Sequence, residues 1–112
     1  MSVKEQREFR RFDISLPVEL TQAGPRRLSD HLRTRNVSAN SVLMSTPSVP
    51  VEVGQEVEYF VTLPTVQTPG TVVRLRCLGH VVRRDVDQGT LTASIERYEF
   101  VSHPRASAAN AA

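Results

Sequence analysis

Phe12-Asp13-Ile14-Ser15-Leu16-Pro17-Val18-Glu19-Leu20-Thr21 alternates without a break between apolar side chains and side chains that are polar or proline. A strand turns successive residues to opposite faces, so this period of two predicts a half-buried strand with Phe12, Ile14, Leu16, Val18 and Leu20 on the core side. Pro17 falls on the outward face and cannot donate a ladder hydrogen bond, which places the strand at a sheet edge or beside a bulge. Ala23-Gly24-Pro25 ends the run.

The same reading extends outward along the chain. A second strand is expected from about Asp30 to Val37 and a third from Ser41 to Ser45, joined by Ser38-Ala39-Asn40, where Asn40 suits a left-handed turn conformation. Pro47, Pro50 and Gly54 mark a longer connection. Val57, Tyr59, Val61 and Leu63 then alternate with Glu56, Glu58, Phe60 and Thr62 as a fourth strand. Beyond the Thr/Pro/Gly-rich loop from Pro64 to Gly70, Val73, Leu75, Cys77, Gly79 and Val81 share one face of a long fifth strand, and Gly79 marks where the sheet curls. Asp87-Gln88-Gly89 is a hairpin turn. Leu91, Ala93 and Ile95 continue on one face until the parity switches to Tyr98 and Phe100, which predicts a bulge near Glu96 or Arg97. Five to six short antiparallel strands and no amphipathic helix point to a closed or nearly closed all-β barrel, because closure removes exposed edges. The expected layout is an arm over residues 1–11, a barrel over 12–101 and an unstructured tail over 102–112, where the composition turns to Ala, Ser, Asn and Pro without period.

The chain has 112 residues, 39% of them hydrophobic and 23% charged, which fits one small domain with one core. No run approaches the roughly 20 apolar residues of a bilayer crossing and the first residues lack a signal-peptide core, so the cytoplasm is the expected location. Cys77, the only cysteine, lies in an alternating apolar run and reads as a buried structural thiol. His31, His80 and His103 are too scattered for a metal motif, no phosphate-binding glycine loop occurs, and no Ser/His/Asp set has local support. An enzyme is therefore not expected, nor a metal or cofactor. A net charge of +2 is too small for bulk nucleic-acid binding by counterion release. The cations are nearly all arginine, with Lys4 the only lysine, and they cluster at Arg7/Arg10/Arg11, Arg26/Arg27, Arg33/Arg35, Arg74/Arg76 and Arg83/Arg84. Arginine favours planar, bidentate contacts to phosphate and base edges. Arg74, Arg76 and Arg84 read as solvated residues on the outer face of a sheet.

Two of these features occur together. Arg7 and Arg11 form R-x-x-x-R before the first strand, and Asn36-Val37-Ser38-Ala39-Asn40-Ser41 follows it, with Leu16-Pro17-Val18 between. In this order the chain resembles the PilZ domain family, whose signature is R-x-x-x-R followed a few tens of residues later by [D/N]-x-S-x-x-G. The resemblance runs from Glu5 to Phe100 and departs at two places: Ser41 stands where the family has glycine, and Gln6 where many members have a further basic residue. It implies a six-stranded antiparallel β-barrel with a flexible N-terminal arm. It also implies a receptor for the bacterial second messenger cyclic di-GMP, contacted by Arg7, Arg11, Asn36 and Ser38 with Ser41 at the glycine position.

Such a ligand carries two anionic phosphates and two guanines. It calls for phosphate donors, donors to the guanine O6/N7 edge and flat groups to stack on, and arginine supplies all three. Arg7 and Arg11 can fold over a ligand on the barrel, and Arg10 can add a phosphate contact; an unstructured basic N-terminus is the alternative. Asn36 offers one carbonyl acceptor where aspartate offers two oxygens, and both Asn36 and Ser38 could instead cap the turn. Signalling would follow from ordering of the arm and a changed surface for an unknown downstream protein. The departures leave open an adaptor that has lost the ligand.

Overall fold

The computed structural model describes residues 10–64 and 71–104. Seven strands follow in order: β1 (Pro17–Ala23), β2 (Arg26–Val37), β3 (Ser41–Ser45), β4 (Glu56–Thr62), β5 (Thr71–Asp85), β6 (Thr90–Ser94) and β7 (Arg97–Pro104). All pairings are antiparallel, and there is no helix among the described residues. The spatial order is β4-β1-β2-β3-β6-β5, and β5 returns to β4, so six strands close a barrel and β7 is added outside it on β5. The inward side chains of the alternating runs form one core, led by Tyr59, Met44, Val42, Val61, Val81 and Cys77. Burial pushes the Cys77 thiol up to about 12, so it stays protonated and inert, as expected of a buried structural cysteine.

The first strand differs from its expected position. It starts at Pro17, not Phe12, and is not an edge: β1 pairs with β2 on one side and β4 on the other. Pro17 is tolerated because it is the first residue of the strand, opposite Arg33 but ahead of the β4 ladder, which begins at Val18. The expected bulge is present further along, between Leu20 and Gln22. Residues 12–16 instead run along β2 with sparser bonding. Phe12 and Val37 form an isolated bridge, and the buried Thr34 side chain accepts from the Leu16 amide at 2.8 Å and donates to the Ile14 carbonyl. Phe12 is consequently 55% exposed, although its parity matched the core face.

β2 begins at Arg26 because Gly24-Pro25 is a two-residue hairpin loop closed by Ala23 opposite Arg26. Gly24 takes φ 59°, and the proline ring holds φ negative at Pro25, the combination of a type II′ turn matched to strand twist. The parity switch expected near Glu96 or Arg97 is a break between two strands: β6 ends at Ser94, β7 starts at Arg97, and both lie along β5. Gly79 sits at that changeover. A Cβ there would overlap the Ser94 carbonyl, which also accepts from the buried Tyr59 hydroxyl at 3.0 Å. β7 continues through Pro104, beyond the barrel limit expected at residue 101.

Candidate functional site

Two β-bulges shape one outer face of the barrel. In β2 the register shifts between Thr34 and Asn36, so Arg35 is the extra residue and Asn36 stands opposite Leu43. In β5 it shifts between Val81 and Arg83, so Val82 is extra and Arg83 stands opposite Thr92. Strict alternation from the buried Thr34 would have turned Asn36 inward; the bulge turns it outward beside Arg35. Leu43 pairs with Thr92 in turn. Asn36, Leu43, Thr92 and Arg83 thus form one row across β2, β3, β6 and β5, spanning about 14 Å at the usual strand spacing.

A cleft of about 630 Å³ lies over this row, lined also by Arg11, Arg35, Val82, Asp85 and Gln88. The floor offers apolar surface from Leu43 and Val82, and the rim carries three arginines against one carboxylate, Asp85. Arg11, Arg35 and Arg83 have no ion-pair partner among the described residues. Arg74 and Arg76 do. Arg74 bonds Glu19 at 3.0 Å and lies over the Phe60 ring at 4.3 Å, and Arg76 bridges Glu58 at 2.7 Å and Glu99 at 3.2 Å. Glu58 is opposed by partial burial, yet hydrogen bonds from Thr21 and Arg76 hold its carboxyl below the usual range. These two arginines are therefore ion-paired on the outer face rather than simply solvated, and the unpaired set at the cleft is the one disposed to meet an anionic ligand.

Two motif residues, Arg11 and Asn36, line one end of the cleft, and a third, Ser41, bonds the same guanidinium. Arg11 Nε donates to Asn36 Oδ1 at 2.8 Å, and Arg11 Nη1 to Ser41 Oγ at 3.2 Å. Ser38 is directed elsewhere. It is 5% exposed, and its hydroxyl donates to Asn40 Oδ1 at 2.8 Å and accepts from the Ser41 amide at 3.2 Å. It caps the β2–β3 turn in this structure. Asn40 does not use the left-handed conformation: among the described residues only glycines take positive φ. Ser41 is equally unstrained and is the first residue of β3. Arg10 is exposed, and Arg7 lies outside the described residues, as does most of the arm expected to order over the ligand. Arg35 and Arg83 were not among the motif residues. Their clustering with Arg33 and Arg84 was visible in the sequence, but the bulges that bring them to one cleft were not.

The PilZ domain family model matches residues 5–107, nearly the whole chain. This chain is a PilZ domain. No curated protein and no solved structure matches it. The six-stranded barrel is the one the PilZ resemblance implied, and PilZ domains are cyclic di-GMP receptor domains that are generally non-catalytic. No helix among the described residues is long and apolar enough to cross a membrane.

Proposed function

We propose that this PilZ domain is a cytoplasmic cyclic di-GMP receptor whose ligand lies in the cleft over β2, β3, β6 and β5. The observation that supports this most is that Arg11 and Asn36, joined by a hydrogen bond, line one end of a cleft that carries Arg35 and Arg83 further along, with Ser41 bonded to the same Arg11 guanidinium. Arg11 supplies a flat cation for a guanine edge or face, Asn36 Oδ1 an acceptor for a guanine N–H, and Arg35 and Arg83 donors for the two phosphates. Leu43 and Val82 give the purines apolar contact. Ser38 contributes by holding the turn that carries Asn36 and Ser41, and Ser41 by its contact with Arg11. Arg7 and Arg10 close over the ligand from the arm, and the ordered arm is the changed surface read by a downstream protein.

Isothermal calorimetry with cyclic di-GMP on the full chain tests this reading. Arg11→Ala is expected to weaken binding by about tenfold or more, the loss of one charge-assisted contact, while leaving folding stability nearly unchanged. Arg11→Lys should rescue little, because an ammonium lacks the planar fork. Absence of any binding heat at millimolar nucleotide would overturn the proposal.

A further inference from the structure

Asp85 is the only carboxylate lining the cleft, and it answers none of the arginines there. It pairs with Thr90 at the end of β5, two residues past Arg83 and on the same face, so the two side chains rise about 7 Å apart along the strand. Among the described residues no ion pair joins it to Arg11, Arg35 or Arg83. Its hydrogen bond is local: Oδ1 accepts from the Gln88 amide at 3.1 Å and caps the turn into β6. A cap uses one lone pair. Oδ2 has no partner among the described residues, and Oδ1 keeps a second acceptor site. Arg11 and Asn36 line the β2 side of the cleft, whereas Asp85 and Gln88 line the side of β5 and the turn that follows it.

Resting on the receptor reading above, we propose that Asp85 sets the base specificity of the cleft by taking the Watson–Crick edge of the ligand's second guanine. The Arg11–Asn36 end serves one guanine, and Asn36 Oδ1 is a single acceptor already met by Arg11. The second guanine presents N1–H and the 2-amino group as adjacent donors, which the two oxygens of one carboxylate match, and Gln88 at the same end adds an amide donor for O6. Arg83, beside Asp85, takes the adjoining phosphate. Adenine lacks both donors, and its N1 is an acceptor that a carboxylate repels. Charge gives this reading a sign of its own. A carboxylate that stands near a dianionic ligand without touching it opposes binding, so removing its charge should tighten binding; a carboxylate bonded to guanine acts the other way.

Calorimetry of the full chain with cyclic di-GMP and with cyclic di-IMP, whose hypoxanthines lack the 2-amino group, tests this on the wild type and Asp85→Asn. The asparagine retains the acceptor that caps the turn, so thermal melts of the two proteins should coincide. Asp85→Asn is expected to weaken cyclic di-GMP binding about tenfold or more and to shrink the wild-type preference for cyclic di-GMP over cyclic di-IMP. Asp85→Ser, whose hydroxyl also caps turns, should lose the same preference. Unchanged or tighter binding of cyclic di-GMP by Asp85→Asn overturns the proposal and leaves Asp85 a turn cap. Equal weakening of both nucleotides overturns it as well, since an effect passed through the turn would not distinguish the bases. Both of those outcomes leave the receptor reading standing, whereas a wild type that gives no heat with cyclic di-GMP removes that reading and this inference together.

Discussion

Ser41 shows how one side chain alters a motif without straining the fold. Glycine at this position is unnecessary for the backbone here, since Ser41 takes no positive φ, so the consequence of the substitution lies in its hydroxyl. That hydroxyl accepts from Arg11 Nη1 at 3.2 Å, and in the proposed receptor it competes with a guanine or phosphate for that nitrogen. Ser41→Gly should free one guanidinium nitrogen and open the cleft end, tightening cyclic di-GMP binding by about 1 kcal/mol, roughly fivefold in Kd. The cost is about 0.5–1 kcal/mol of stability for a glycine in a strand. Paired calorimetry and urea melts would read both effects, and weaker binding by the glycine variant would make the hydroxyl a ligand contact instead. Asn36 was legible as a motif residue, and its outward direction was not, because parity counted from Thr34 points it inward until the extra residue Arg35 is known.

At the scale of elements, the crossing of β5 from β7 to β6 leaves no room for a side chain at Gly79. Gly79 has the Ser94 backbone directly over it, so Gly79→Ala should cost about 3 kcal/mol by overpacking against main chain that cannot yield. Chemical denaturation would show this as a lower midpoint with an unchanged slope. The same crossing is tied by ionic contacts on its outer side. His80 Nδ1 meets Glu96 Oε2 at 2.8 Å, and Ser94 Oγ donates to the same carboxylate oxygen at 2.7 Å. The hydrogen bond with Glu96 raises His80 above its ordinary 6.5, and the bond with His80 lowers Glu96 below its ordinary 4.5. The raised histidine contributes stability that is complete below 6.5 and fades as pH climbs through its higher folded value. The lowered carboxyl contributes stability that is complete above 4.5 and fades as pH falls through its folded value. Thermal melts across pH should therefore show a contribution that is greatest between those two ordinary values and absent in His80→Gln, and a variant profile parallel to the wild type would remove the pair from the stability of the crossing.

For the whole molecule, the barrel carries Arg35 and Arg83 at the cleft, and the proposed receptor draws its further cations from the N-terminal segment. Segment 12–16 is held to β2 by the Phe12–Val37 bridge and the Thr34 hydroxyl, so Arg11 is anchored next to the cleft, and the proposed receptor calls on Arg7 and Arg10, earlier in the sequence, to close over the ligand. Nucleotide binding should then raise the backbone order parameters of residues 7–10 by NMR relaxation, as a coupled ordering of the arm. Unchanged values at saturating ligand would confine the signal to the cleft itself.

The alternation of β4, β5 and β6 sufficed for an all-β barrel with Tyr59, Val61, Cys77 and Leu91 in the core, because a period of two has one folded solution once a face must be buried. The spacing of Arg7, Arg11, Asn36 and Ser38 sufficed for the family, because the motif lies in the order of residues. What tertiary structure decided were the places where alternation is interrupted. Parity along one strand cannot show where its neighbour inserts or omits a residue, so the bulges at Arg35 and Val82, and with them the row from Asn36 to Arg83, emerged only when the strands were paired. Pairing likewise made β1 an interior strand despite Pro17 and left Tyr98 and Phe100 uncovered on β7, since burial depends on which strands close the barrel and which one remains outside it.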